Sequence, residues 1–244
     1  MKIGLLLLIA LTILTLNSCQ TTYGIANIGS ESKYLPKPVY KDTTEKATYI
    51  TGQFYHNLGD GYQPDELSYF GDLMFNRSMT SKYFNYSYGG LLYLGNYYVN
   101  EVATYRGMKT FYGSALTGEV NLNIPFRRVD WRIIGLRATA IYEQGNYTTF
   151  RRMAGNDNLI TNIHPNNATI NIGLTHDITV KLRKISFGLY SMEGITIGAD
   201  GNGILTLSNT LYFTRQRFTG YAQLSLGIFG PNGTVSTGIS YRLK

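Results

Sequence analysis

The sequence predicts an all-β fold: an antiparallel up-and-down transmembrane β-barrel of about ten strands. Three observations carry that expectation. Apolar and polar residues alternate with a period of two through most of the chain after residue 46, the repeat of a pleated strand and not of a helix. The polar half of the alternation is Thr, Ser, Gly, Asn, Gln and Tyr, and only 15% of all residues are charged. A face turned to bulk water carries Lys, Glu, Arg and Asp, whereas small uncharged groups suit a narrow lumen, so the apolar half faces lipid. Third, short and long connections alternate along the chain, as they do when every second turn lies on the same side of a membrane.

The N-terminus stands apart. Met1-Lys2 is a short basic start, and Gly4 to Leu16 is apolar but for Thr12 and Thr15. This is the layout of a secretory signal, too short for a spanning helix. It ends in Leu16-Asn17-Ser18-Cys19, which resembles the lipobox of bacterial lipoproteins, with Asn17 a less usual occupant of its place. The resemblance implies that Cys19 is diacylated and becomes the mature N-terminus. Cys19 is the only cysteine, which excludes an intramolecular disulfide. Gln20 is unlike the acidic residue that retains some lipoproteins in an inner membrane, which favours the outer one. Residues 20–46 lack a sustained period and hold Pro36, Pro38 and the charged stretch Lys41 to Lys46. The expected organisation is a signal peptide over 1–18, a lipidated N-terminus and flexible tether over 19–46, and a barrel over 47–244.

The alternation places strands at 47–56, 67–78, 83–96, 111–124, 131–143, 168–181, 185–197, 203–213, 218–228 and 234–243. None contains Pro, which would remove a ladder donor. The connections Met79 to Lys82, Pro125 to Asp130, Leu182 to Lys184 and Thr214 to Arg217 are short; 57–66, 97–110 and 144–167 are long and are expected to face outwards. The overall plan resembles that of small outer-membrane barrels.

Charge refines the picture. The short turns hold Lys82, Arg127, Arg128, Arg183, Lys184, Arg215 and Arg217, within a net charge of +7 for the whole chain. No Lys/Arg run with interleaved aromatics marks a nucleic-acid stripe, and the basic turns suit an anionic surface instead. The alternation points Asp72, Glu119, Arg137 and Asp177 into the barrel. Glu119 and Arg137 lie nearly equidistant from the centre of one short turn, so they are expected to meet across their hairpin.

Chemistry is sparse. His56, His164 and His176 are the only histidines. His176 shares the apolar face of its strand, while His56 with Asp60 is the best available base and orienting carboxylate. No nucleophile is marked and no metal spacing stands out, so no catalytic residue, metal site or cofactor is assigned. The leading expectation is an outer-membrane lipoprotein acting as a non-catalytic accessory or structural subunit. Its partners would be outer-membrane lipid and a protein of the same assembly, with no nucleic acid. The alternatives are an outer-rim hydrolase or acyl-transfer enzyme acting on lipid or peptide, and a lipid-tethered soluble barrel carrying an apolar ligand.

Overall fold

The computed structural model describes residues 22–23, 26, 31–40, 42–57, 67–100, 102–156, 162–163, 165–198, 203–227 and 233–243. Ten strands form a closed barrel: β1 Glu45–Asn57, β2 Ser68–Thr80, β3 Phe84–Val99, β4 Gly107–Pro125, β5 Val129–Gln144, β6 Ala168–Lys181, β7 Ile185–Gly198, β8 Gly203–Arg215, β9 Phe218–Gly227 and β10 Gly233–Arg242. Each pairs antiparallel with its neighbour in sequence, and β10 closes on β1 from Thr234↔Asn57 to Arg242↔Tyr49. The barrel leaves no unpaired edge. Its faces are inverted relative to a soluble protein: Leu92, Leu94 and Leu116 are 68–72% exposed on the outside, while Asn76, Arg137, Asn171 and Thr210 are fully buried inside. An apolar exterior around a polar, hydrogen-bonded lumen is the solution for strands that cross lipid.

The two mouths differ. At one, the turns after β2, β4, β6 and β8 are tight; this is the turn mouth. At the other, the loop mouth, regular structure is found among the described residues of the 97–110 and 144–167 connections. β3 and β4 run further than expected, to Val99 and from Gly107, and a 3₁₀ turn over Ala103–Tyr105 lies between them. The connection after β5 carries an unexpected helix, α1, over Asn146–Asn156. Its buried residues Tyr147, Phe150, Arg151 and Ala154 recur at helical spacing, but over too short a span to stand out in a sequence of strands. Tyr147 stacks on Tyr97 at 4.3 Å and Phe150 meets Tyr105 at 5.5 Å, so α1 folds down over the loop mouth.

The expectation of a flexible tether fails over 31–40. This segment runs through the barrel, with Glu31 to Lys37 almost fully buried in the lumen. Its course is read from its contacts down β5. The Ala26 amide donates to Glu143 at 3.1 Å, the Glu31 carbonyl accepts from Thr139, the Pro38 carbonyl accepts from Arg132, and the Tyr40 amide donates to Asp130 at 2.9 Å. The chain therefore enters at the loop mouth, leaves at the turn mouth and begins β1 there. Pro36 and Pro38, which looked like marks of a loop, have no amide hydrogens to satisfy and hold an extended path. The Pro36 carbonyl accepts from Ser78 at 2.7 Å.

Candidate functional site

The lumen is built around ion pairs between the plugging segment and the wall. Lys33 pairs with Asp72, which also accepts from Tyr55 at 2.8 Å. Lys37 Nζ lies 2.7 Å from Glu119 Oε1. Glu119 further accepts from Asn121 at 2.9 Å, Tyr190 at 3.1 Å and Thr175 at 3.3 Å. A buried carboxylate holds its charge only with such company. Between the two lysines, Tyr34 stacks on Tyr212 at 4.5 Å and meets Tyr190 and Tyr221 edge-on. Gly188 and Gly238 stand opposite Tyr212 and Tyr221, and a Cβ at either would run into the ring, so the glycines let the rings lie against the wall. Near the loop mouth, Arg151 of α1 reaches Glu143 at 2.7 Å.

Glu119 and Arg137 are opposite in register, and both are buried, as are Asp72 and Asp177. The pair nevertheless stands 3.9 Å apart. The nearest cation to Glu119 is Lys37, and Arg137 gives a hydrogen bond to the Lys33 carbonyl. Asp177 binds Arg132 at 2.5 Å and accepts from Tyr212 at 2.6 Å. Arg132 escapes strict alternation, because it lies an odd number of residues from Arg137 and should take the opposite face. A β-bulge resolves this: the register of β5 against β6 shifts between Arg132 and Gly135, and both arginines face inwards. The bulge exposes the Ile133 carbonyl towards lipid, and His176 Nδ1 meets it at 2.6 Å, donating as the Nδ1–H tautomer.

His176 begins a second feature, on the outside. It pairs in register with Ser191, and Ser191 with Asn209, giving a polar row across β6, β7 and β8. Ser191 Oγ donates to Asn209 Oδ1 at 2.8 Å. One step towards the loop mouth, exposed Glu193 sits between Leu174 and Leu207. Apolar side chains bracket the patch: Ile178, Leu189 and Leu211 on the turn side, Ile172, Ile195 and Leu205 on the loop side. Alternation along any one strand misses this patch, because only the cross-strand register brings its four residues together. His, Ser and Asn are the types found in acyl-transfer centres. Here His176 Nδ1 is committed to a carbonyl and Ser191 to Asn209, inside the lipid-facing band, away from the water that deacylation needs.

His56 lies exposed at the end of β1; its suggested companion Asp60 lies outside the described residues, as do His164 and Cys19. Among the described residues no group of three or more His, Cys, Asp or Glu could hold a metal ion.

No family model and no curated protein matches the chain. Among solved structures, the chain is similar to the translocator domain of the autotransporter NalP from Neisseria meningitidis, with TM-score 0.42 and 9% identity over 82% of this chain and 89% of that one. It is similar to the NanC porin, with TM-score 0.38 and 10% identity over 81% and 100%, and to the KdgM porin, with TM-score 0.33 and 11% identity over 79% and 98%. Likenesses this distant carry no argument about function, and the barrel assignment rests on the closed strand order of this chain itself.

Proposed function

We propose that this protein is a non-catalytic accessory or structural subunit of an assembly in the bacterial outer membrane, held there by its barrel and by lipid on Cys19. The observation that carries the reading is the polar patch His176, Ser191, Asn209 and Glu193 on the lipid-facing wall. A charged side chain on the lipid face of a barrel is destabilising, by less for Glu than the ~2–4 kcal/mol of a midplane Arg or Lys, and polar groups within a membrane are retained where something pairs with them. A neighbouring membrane protein seated on β6 to β8 supplies that pairing. The filled lumen supports the same reading, since a barrel sealed by its own chain suits neither a general pore nor a carrier of apolar ligand. The signal-like start and the Leu-Asn-Ser-Cys ending support lipidation.

The course of the plug supports a position for the proposed lipid. Thr22 and Tyr23 pair with Asn162 and Ile163, in the connection that follows α1 at the loop mouth. Three residues of chain separate Thr22 from Cys19, a covalent reach of about 10 Å, so a lipid on Cys19 would be tethered to that mouth. With the long connections outward, its acyl chains enter the outer leaflet.

The test is site-specific photo-crosslinking in intact cells, with the crosslinker at Asn209 or, as a control on another wall, at Leu116. A discrete protein adduct from position 209 and none from 116 is expected, and Glu193→Leu should abolish co-purification of the same partner. Adducts to lipid alone from both positions would sink the proposal.

A further inference from the structure

Below the plug, at the turn mouth, the lumen opens into a cavity of about 600 Å³. The plug residues Pro38 and Val39 form its floor, and lumen-facing Thr179, Ser186 and Thr219 belong to its wall. Its charge is one-sided: among the described residues, seven Lys and Arg side chains line it and no Asp or Glu does. Three of the seven are committed to carboxylates elsewhere, Lys37 to Glu119, Lys181 to Asp130 at 2.8 Å and Arg242 to Glu45 at 3.3 Å. The other four, Arg183, Lys184, Arg215 and Arg217, come from the two turns after β6 and β8 and meet no carboxylate among the described residues. Elsewhere in the lumen each buried cation among the described residues is matched to an acid or a carbonyl. Here the matching stops at the wall of an open space of small-molecule size.

We infer that this vestibule binds an anion carrying two or more phosphate groups. Two turns present guanidinium groups from adjacent hairpins to a common space, and guanidinium forks bind phosphate oxygens in bidentate fashion. Four like charges around a void repel one another, and a polyanion relieves that repulsion as it binds. The Thr214 and Thr219 hydroxyls, 2.9 Å apart, offer a neutral pair of hydrogen-bonding groups beside the charges. The phosphate can come from a soluble molecule entering along the barrel axis or from a lipid headgroup folded over the rim. The inference is independent of the lateral partner proposed above, which concerns the outer wall.

The experiment titrates sodium tripolyphosphate calorimetrically into the full chain in an uncharged detergent at low ionic strength. Saturable binding is expected, weakened at least about tenfold by the double substitution Arg183→Gln with Arg215→Gln. Arg127→Gln with Arg128→Gln removes equal charge from the same mouth outside this cavity and should weaken it less than about threefold. Equal losses in the two double variants, or no binding by the wild type, would overturn the inference. All four arginines sit on exposed turns, and heat-modifiable gel mobility checks that both variants are folded. Lys184→Gln alone provides a milder second reading of the same site, with an intermediate loss expected. Repeating the titration in discs of phosphatidylcholine with and without cardiolipin, whose headgroup carries two phosphates, separates the sources: competition assigns the site to headgroup phosphate, and unchanged affinity assigns it to a soluble ligand.

Discussion

Glu119 shows how much a single residue depends on what stands opposite it. Its cross-strand neighbour is Arg137, yet the shorter ion pair is made with Lys37, 82 residues earlier in the chain. Removing either buried partner strands the other, at a cost of about 3–5 kcal/mol. A double-mutant cycle with Lys37→Met and Glu119→Gln, read by unfolding from detergent, should therefore show a coupling of about 1 kcal/mol or more. The cycle of Glu119→Gln with Arg137→Met should couple more weakly, since Arg137 keeps its bond to the Lys33 carbonyl. A stronger coupling for Arg137 than for Lys37 would mean that the plug does not seat as described. His176 teaches the same lesson on the outer wall, where its ring satisfies a carbonyl that a bulge in another strand has freed.

Among the elements, the 31–40 segment decides what the barrel can be. It has no strand partners in the wall and is held by side chains, by proline carbonyls and by the Tyr34 stack. Ser32 and Ser225 hydroxyls lie 3.3 Å apart, close enough for paired cysteines to bridge. Ser32→Cys with Ser225→Cys, in a Cys19→Ala background, should form an intramolecular disulfide under mild oxidation without loss of heat-modifiable mobility. Failure to crosslink in a folded barrel would place the segment outside the lumen. Helix α1 closes the other end through Arg151 and Glu143, so the connection after β5 is part of the folded barrel and not merely a long loop.

Over the whole molecule, a polar inside and an apolar outside define the solvent. The strands provide their own membrane-facing surface, so the proposed lipid on Cys19 would add residence but would not be what inserts the barrel. Cys19→Ala should remain in the membrane fraction and need detergent for extraction, which a fractionation with carbonate and then detergent would check. A soluble Cys19→Ala protein would contradict the lipid-facing exterior. Wild-type protein in planar bilayers should show no steady open conductance, whereas deletion of residues 31–40 should give one wherever the variant still folds; steady conductance by the wild type would mean the plug is not resident.

What the sequence determined by itself was the barrel: strand number, strand order, which face meets lipid, and that Asp72, Glu119, Arg137 and Asp177 point inwards. These follow from a period of two and from the composition of its polar half, both local properties that survive in one dimension. Tertiary structure alone decided the rest. A plug such as 31–40 carries no periodicity, because an extended chain bound through prolines and side chains repeats nothing. Arg132 was hidden by a bulge that adds one residue and resets the alternation. The outer patch was hidden because His176, Ser191 and Asn209 are far apart in the chain and become neighbours only through cross-strand register. The sequence states which way each side chain points from its own strand; only the closed barrel states what it meets there.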